Sequence, residues 1–336
     1  MDVLSLEWLV ICMIVFGLSM LGNALLIRYA LTLGILDVPN ARSSHLHVTP
    51  RSGGLAIVFA FMAGMVFLDV PKIFSFLMPL FLVFGMGLWD DISSISSRTK
   101  LLITAIAGAW LFINGFEIVR FGHFFGTEII LSYGFALAFC AFAISGFTNA
   151  LNLIDGLDGL ASIVSLVILL SFAYIGFKFD DSFLFYVTTL LICAISGFLV
   201  FNWQPAKIFM GDSGSFSIGF IIAMVVVYAI GKGYITAMST LLLAAVPILD
   251  TLIVMVRRSV KGQNPLSADK THIHHRLLKH LGGDTRKTVI LVGCLQALFS
   301  YMGLGFKVRD DSIIFLLYLL SFVIFYTLLT SDKEDS

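Results

Sequence analysis

Apolar residues along the chain gather in eleven runs, at about 3–27, 53–70, 73–89, 101–115, 130–148, 160–177, 183–201, 216–231, 234–256, 288–306 and 312–330, parted by polar or Gly/Pro-marked links. A membrane-crossing helix needs ~20 mostly apolar residues, and the runs approach or exceed that length. The pattern predicts an all-α, polytopic helix bundle of about eleven membrane spans, forming one domain over residues 1–336. The second, third and fourth runs are short and Pro71 alone separates two of them, so a tight hairpin there would alter the count by one.

The links alternate in character. Those near 71, 115–129, 178–182, 232 and 307–311 are plain, whereas 28–52, 90–100, 149–159, 202–215 and 257–287 are rich in Gly, Asp, Asn and His. Successive links lie on opposite membrane faces, so the five rich ones share a side. Of the Lys and Arg residues, 15 lie in the rich links and the C-terminal tail and 6 in the plain links. The positive-inside rule therefore places the rich face in the cytoplasm, with the N-terminus outside and the C-terminus inside.

Composition sharpens this. Of 336 residues, 59% are apolar and 12% charged, about half the charge of a soluble domain, which excludes a soluble enzyme held by one anchor. Lys plus Arg equal Asp plus Glu at 21 each, so no global basic surface exists for nucleic acid. Cys12, Cys140, Cys193 and Cys294 sit in apolar runs without metal-like spacing. The first run follows Met1-Asp2, with no basic segment and no clear cleavage site, and reads as a retained span.

The chemistry lies in the rich links. Asp90-Asp91 at a span end, followed by Lys100, either caps a helix or offers oxygen ligands to a divalent cation such as Mg²⁺. Asn149, Asn152, Asp155 and Asp158 recur every third residue, which either makes a carboxamide and carboxylate stripe on an α-helix or marks a polar helix end that merely turns. Gly156 and Gly159 beside it permit close approach of a phosphate. Lys207 precedes Gly211-Asp212-Ser213-Gly214-Ser215, which reads as a turn and N-cap or as a holder of a metal–phosphate assembly, but not as a P-loop. His272, His274, His275 and Arg276 fit zinc, attraction to anionic lipid, or hydrogen bonding to a diphosphate. The first rich link, with Arg42, His45 and Arg51, either clamps a phosphate or orients the first hairpin. Asp250, near the inner end of the ninth run, lies apart from the other acids and could belong to the same site. Carboxylates and cations on one membrane face are the parts needed for phosphoryl transfer.

Four ordered motifs carry a resemblance. They are Asp90-Asp91 with Lys100; Asn149-x-x-Asn152-x-x-Asp155-Gly156-x-Asp158-Gly159; Pro205 to Ser215; and His272-Ile273-His274-His275. Together they resemble the polyprenyl-phosphate N-acetylhexosamine-1-phosphate transferases over about three quarters of the chain. The resemblance implies transfer of a sugar 1-phosphate from a UDP-N-acetylhexosamine to undecaprenyl phosphate with release of UMP, requiring Mg²⁺ or Mn²⁺. It implies UDP-GlcNAc or a 6-deoxy donor such as UDP-FucNAc or UDP-QuiNAc, and a first step of surface-polysaccharide synthesis such as that of O-antigen. By matching position, Asp212 would ligate metal and Asn152 and Asp155 would lie at the nucleotide–metal site. Lys100 and the His272–Arg276 segment would contact the diphosphate, and Asp90 and Asp91 the acceptor phosphate or its attack. Asn149, Asp158, Lys207, Arg42 and His45 are further substrate-binding candidates. Direct in-line attack and a two-step route through an aspartyl-phosphate both remain open. The resemblance also implies a bacterial inner-membrane location with a cytoplasm-facing site, and a homodimer.

The peptidoglycan branch of that family looks like a ten-span protein, one fewer than the runs here. A secondary transporter is the rival from another class, since intramembrane acids mark ion paths. Its charges would lie near mid-span, whereas nearly all the acids here lie at one face.

Overall fold

The computed structural model describes residues 5–33, 36–37, 48–68, 73–264, 272–305 and 311–330. Among them the helices are α1 (Leu6–Leu33), α2 (Gly53–Met65), α3 (Ile73–Ile92), α4 (Ser97–Ile113), α5 (Tyr133–Ile154), α6 (Leu160–Lys178), α7 (Ser182–Asn202), α8 (Gly211–Gly231), α9 (Ala237–Leu243), α10 (Ala245–Val260), α11 (Ile273–His280), α12 (Thr285–Gly305) and α13 (Asp311–Thr330). Two antiparallel hairpins join them, β1 (Leu36–Asp37) with β2 (Thr49–Pro50) and β3 (Arg120–Phe124) with β4 (Thr127–Ile130).

Helix α8 is the hub. Beyond its polar first two turns it is apolar on all sides, and it is buried along its whole length except at Tyr228 and Gly231, as expected of a helix ringed by others. Helices α2, α3, α5, α6 and α7 pack around it. At the periphery, α1 and α13 leave Leu6, Leu9, Leu31, Leu316 and Leu328 exposed, the surface a helix turns to lipid.

Every predicted run contains a helix, but among the described residues fewer than eleven helices have spanning length. Among the described residues eight helices are long and apolar enough to cross a membrane, and nine spans result if the bent pair α9–α10 is counted as one. Helix α2, at 13 residues, reaches only about 20 Å at ~1.5 Å per residue, and α4, at 17 residues, about 25 Å. The plain link at 115–129 folds into the β3–β4 hairpin. Its His123 N–H donates to Asp311 Oδ2 (2.6 Å) at the start of α13.

The ninth run is not a continuous span, because the chain turns by 91° between α9 and α10. Pro247 has no N–H to return to the carbonyl of Leu243, one helical turn earlier. Gln296 on α12 fills the gap: its Nε2 donates to Leu243 O (2.9 Å) and its Oε1 accepts from Val246 N–H (3.0 Å). Ser300 Oγ adds a longer bond to the same carbonyl (3.3 Å). Gln296→Leu would leave the buried Val246 N–H without a partner, at a cost of roughly 1–3 kcal/mol. The expected result is a lower Tm in detergent; an unchanged Tm would mean that the bend does not depend on this carboxamide.

Candidate active site

The centre forms where the ends of α3 and α4 meet the start of α8. Helix α8 begins at Gly211, earlier than the link 202–215 implies, so Asp212 stands in its first turn, where the helix dipole favours an anion. Asp91 at the end of α3 caps that turn from outside: Oδ1 accepts from Asp212 N–H (2.7 Å) and Oδ2 from Ser213 N–H (2.9 Å). Asp90 Oδ1 accepts from Ile95 N–H (2.6 Å). Lys100 joins the two carboxylate groups, with Nζ 2.6 Å from Asp90 Oδ2 and 2.7 Å from Asp212 Oδ2. Arg51 takes the other side of Asp212, with Nη2 2.7 Å from Oδ1, and its Nε lies 3.3 Å from Asp91 Oδ1.

Glycine makes this convergence possible. A Cβ on Gly54 would lie 2.2 Å from the Gly214 backbone nitrogen, and one on Gly87 would lie 2.6 Å from the Asp212 carbonyl oxygen. Helices α2 and α3 thus touch the backbone of α8 beside the carboxylates. Gly53 and Gly54 N–H also donate to the carbonyls of Phe209 and Met210 (3.0 and 2.8 Å), so Arg51 is delivered by a backbone zipper.

The stripe at 149–158 does not stay helical. Helix α5 ends at Ile154, with Asp155 at its C-cap, and Gly159 enters α6 at φ +79, a left-handed conformation suited to glycine. Asn149 points back along α5, its Nδ2 donating to Ser145 O (2.8 Å), and is engaged in packing. Asn152 Nδ2 donates to Ser215 Oγ on α8 (2.9 Å), which leaves its Oδ1 as an acceptor. Asp158 Oδ2 accepts from Ala206 N–H (2.9 Å) and anchors the 203–207 turn. Asp155 is half-buried and accepts no hydrogen bond among the described residues. Burial first, and then the nearby Asp212 carboxylate, push it up to about 7.

That shift has a measurable sign. Asp155 is neutral in the folded protein below about pH 7 but ionised in the unfolded chain above its ordinary value of 3.8. The folded state therefore holds the extra proton between these values, and stability falls as pH rises through that window. In chelator, Tm is expected to decline through this group up to about pH 7 and then level off. Asp155→Asn should flatten the slope, and an equal slope in the variant would remove Asp155 as its source.

The link 257–287 contains the short helix α11 at its centre. His272 and His274 are buried, and their rings lie nearly parallel at 5.6 Å. His274 packs against the 155–159 turn: a Cβ on Gly156 would meet its Nε2 at 2.6 Å. Among the described residues neither ring nitrogen of His274 has a hydrogen-bond partner, and burial pushes the ring down to about 3, so it is neutral at pH 7. His275 and Arg276 follow, half-buried, with their backbone N–H groups donating to His272 O (3.1 and 3.2 Å).

Asp90, Asp91, Lys100, Asn152, Asp155 and Asp212 thus come together, and the 155–159 turn links them to the histidines. Lys207 does not join: its side chain is exposed and forms no ion pair among the described residues. Arg42 and His45 lie outside the described residues. Arg51, which the sequence places only in a link that clamps a phosphate or orients a hairpin, pairs with Asp212, and a cation directly before Ser52-Gly53-Gly54 was a usable signal.

Among the described residues no three acidic or histidine side chains form a ready-made metal cage. Mg²⁺ does not need one, since it keeps several waters and binds one or two carboxylates plus substrate phosphates. Asp155 without a donor, Asp212 beside it and the free Oδ1 of Asn152 fit that donor set.

A polytopic helical bundle with acids and cations gathered at one end of its spans defines a membrane-embedded phosphoryl-handling transferase. The profile of glycosyl transferase family 4 matches residues 73–230, which hold Asp90, Asp91, Lys100, Asn152, Asp155 and Asp212. A Bacillus subtilis protein named probable undecaprenyl-phosphate N-acetylglucosaminyl 1-phosphate transferase is 31% identical over 287 residues, 83% of this chain and 79% of its own. The undecaprenyl-phosphate alpha-N-acetylglucosaminyl 1-phosphate transferase of Yersinia pestis is 27% identical over 97% of this chain and 92% of its own. The Salmonella typhi protein of the same name is 29% identical over 89% and 84%. The chain belongs to glycosyl transferase family 4, among the polyprenyl-phosphate N-acetylhexosamine-1-phosphate transferases.

Proposed function

We propose that this protein transfers the sugar 1-phosphate of UDP-GlcNAc to undecaprenyl phosphate and releases UMP, at the cytoplasmic face of a bacterial inner membrane. The observation that carries this reading is the Asp90–Lys100–Asp212–Arg51 network where the ends of α3 and α4 meet the start of α8. Two cations held against carboxylates are poised to meet a diphosphate from the aqueous side and a lipid phosphate from the membrane side. The names of the relatives favour GlcNAc over the 6-deoxy sugars as the donor.

Asp212, Asp155 and Asn152 would hold Mg²⁺ or Mn²⁺, which when bound neutralises diphosphate charge and polarises the phosphorus. Lys100 and Arg51 supply fixed positive charge for the phosphoryl oxygens as charge moves onto the leaving UMP. His274 of α11 packs against Gly156 in the 155–159 turn. A lipid phosphate oxygen is already anionic at neutral pH and needs little deprotonation, so a strong general base is not required. Both oxygens of Asp91 are engaged by backbone N–H groups, and both of Asp90 by Ile95 and Lys100. This speaks against Asp90 and Asp91 as covalent nucleophiles.

The test is purified protein in detergent with undecaprenyl phosphate, Mg²⁺ and a panel of UDP-sugars, reading UMP release. Lipid-dependent release with UDP-GlcNAc is expected. Release only with a 6-deoxy-HexNAc donor would reassign the sugar, and release with none, from folded protein, would overturn the reading.

A further inference from the structure

Asp250 is a carboxylate 1% exposed inside the bent apolar segment, on α10, one turn after the bend that Gln296 holds. Such a group is costly to bury unless it is fully hydrogen-bonded, and in a membrane protein it marks a function by default. Among the described residues its partners all come from the histidine segment. Oδ1 accepts from Ile273 N–H at 2.6 Å, Oδ2 lies 2.8 Å from His272 Nδ1, and His274 Nδ1 lies 3.9 Å from Oδ2.

Two jobs are combined in this one side chain. Ile273 is the first residue of α11, whose N-cap His272 makes no side-chain capping bond. Asp250 therefore satisfies an orphan helix donor from another helix. At the same time a carboxylate can only accept, so Nδ1 of His272 must carry the hydrogen, and its other nitrogen is fixed as the variable one. The His274 ring stacks alongside and reaches Gly156, next to Asp155. One carboxylate thus sets both where the histidine face sits and which form His272 adopts. A helix cap alone would need a single acceptor, which asparagine provides equally well.

We infer that Asp250 is a positioning residue for the transfer, acting through His272 to hold the histidine face of α11 against the Asp155–Gly156 turn. This rests on the proposed reading of that turn as part of the donor diphosphate site. Asp250→Asn is the informative change, because its single oxygen can keep the Ile273 bond while its NH₂ forces Nδ1 of His272 to become the acceptor.

The experiment has two arms. In the first, nitrogen-15 NMR of histidine-labelled protein reads the His272 tautomer without any substrate. Nδ1–H is expected in the wild type and Nε2–H in Asp250→Asn; an Nε2–H tautomer in the wild type overturns the inference even if the variant fails to fold. In the second, kcat and KM for the UDP-sugar are measured for Asp250→Asn, His272→Ala and the double variant. Asp250→Asn is expected to lower kcat/KM by about 10²-fold, in the range of lost outer-shell partners and wrong-tautomer histidines. In the His272→Ala background it should cost no more than about twofold. Wild-type kinetics in folded Asp250→Asn, or a full further loss in the double variant, would contradict it. Failure of the wild type to release UMP at all would instead strike the proposed function, leaving the tautomer arm to decide the role of Asp250.

Discussion

Asp212→Asn is expected to lower transfer by at least about 10³-fold while the protein stays folded. The carboxylate is the meeting point of the site, with Arg51 on one oxygen and Lys100 on the other. Asparagine keeps the size but removes the charge that holds both cations, and removes an anionic ligand for Mg²⁺. Deleting one preorganised electrostatic contact costs ~10²–10³ in kcat, and Asp212 serves several at once. The fold should survive, because Asp91 caps α8 through the backbone N–H groups of residues 212 and 213. Lys100 also keeps Asp90, and Arg51 is exposed enough to be hydrated. The variant should therefore show near-wild-type Tm with almost no product. Substantial turnover at saturating Mg²⁺ would remove Asp212 from the centre.

Gly54→Ala is expected to cripple the enzyme through geometry alone. The added Cβ would sit 2.2 Å from Gly214 N and 2.4 Å from Gly214 Cα, both backbone atoms of α8 that cannot swing aside. Helix α2 must then move away from α8. Overpacking of this kind costs ~1–3 kcal/mol, and a displacement of about 1 Å in a site can cost ~10²-fold in rate. Arg51, three residues before, would lose its approach to Asp212 along with the Gly53 and Gly54 backbone bonds. A clear drop in both Tm and kcat/KM is expected. Gly17→Ala on α1, where nothing lies within 4 Å of the new Cβ, should leave both intact. Equal behaviour of the two variants would mean that the α2–α8 contact is not what sets the site.

Much of this was legible in the sequence for a physical reason: in a bilayer, hydropathy reports directly which segments are helical. The alternation of plain and rich links then assigns Asp90, Asp155, Asp212 and His272 to one face. What hydropathy cannot report is direction. The run 234–256 reads as one apolar stretch, although Pro247 and the Gln296 carboxamide turn it through a right angle. Spacing likewise predicted a helical stripe from Asn149 to Asp158, but the helix stops at Ile154, which frees Asp155 and sends Asp158 to anchor a neighbouring turn. Arg51 and Asp250 were visible as residues but not as partners. Their roles depend on groups elsewhere in the chain, Asp212 and His272, which only the packing of α2 on α8 and the seating of the start of α11 beside α10 bring near.

The central claim is that phosphorus, not the sugar alone, moves to the lipid. Purified protein incubated with undecaprenyl phosphate, Mg²⁺ and UDP-GlcNAc labelled at the β-phosphate tests it most directly. The account predicts that the label leaves with the GlcNAc in the lipid fraction while the released nucleotide is unlabelled UMP. Label retained in the nucleotide fraction as UDP would contradict it.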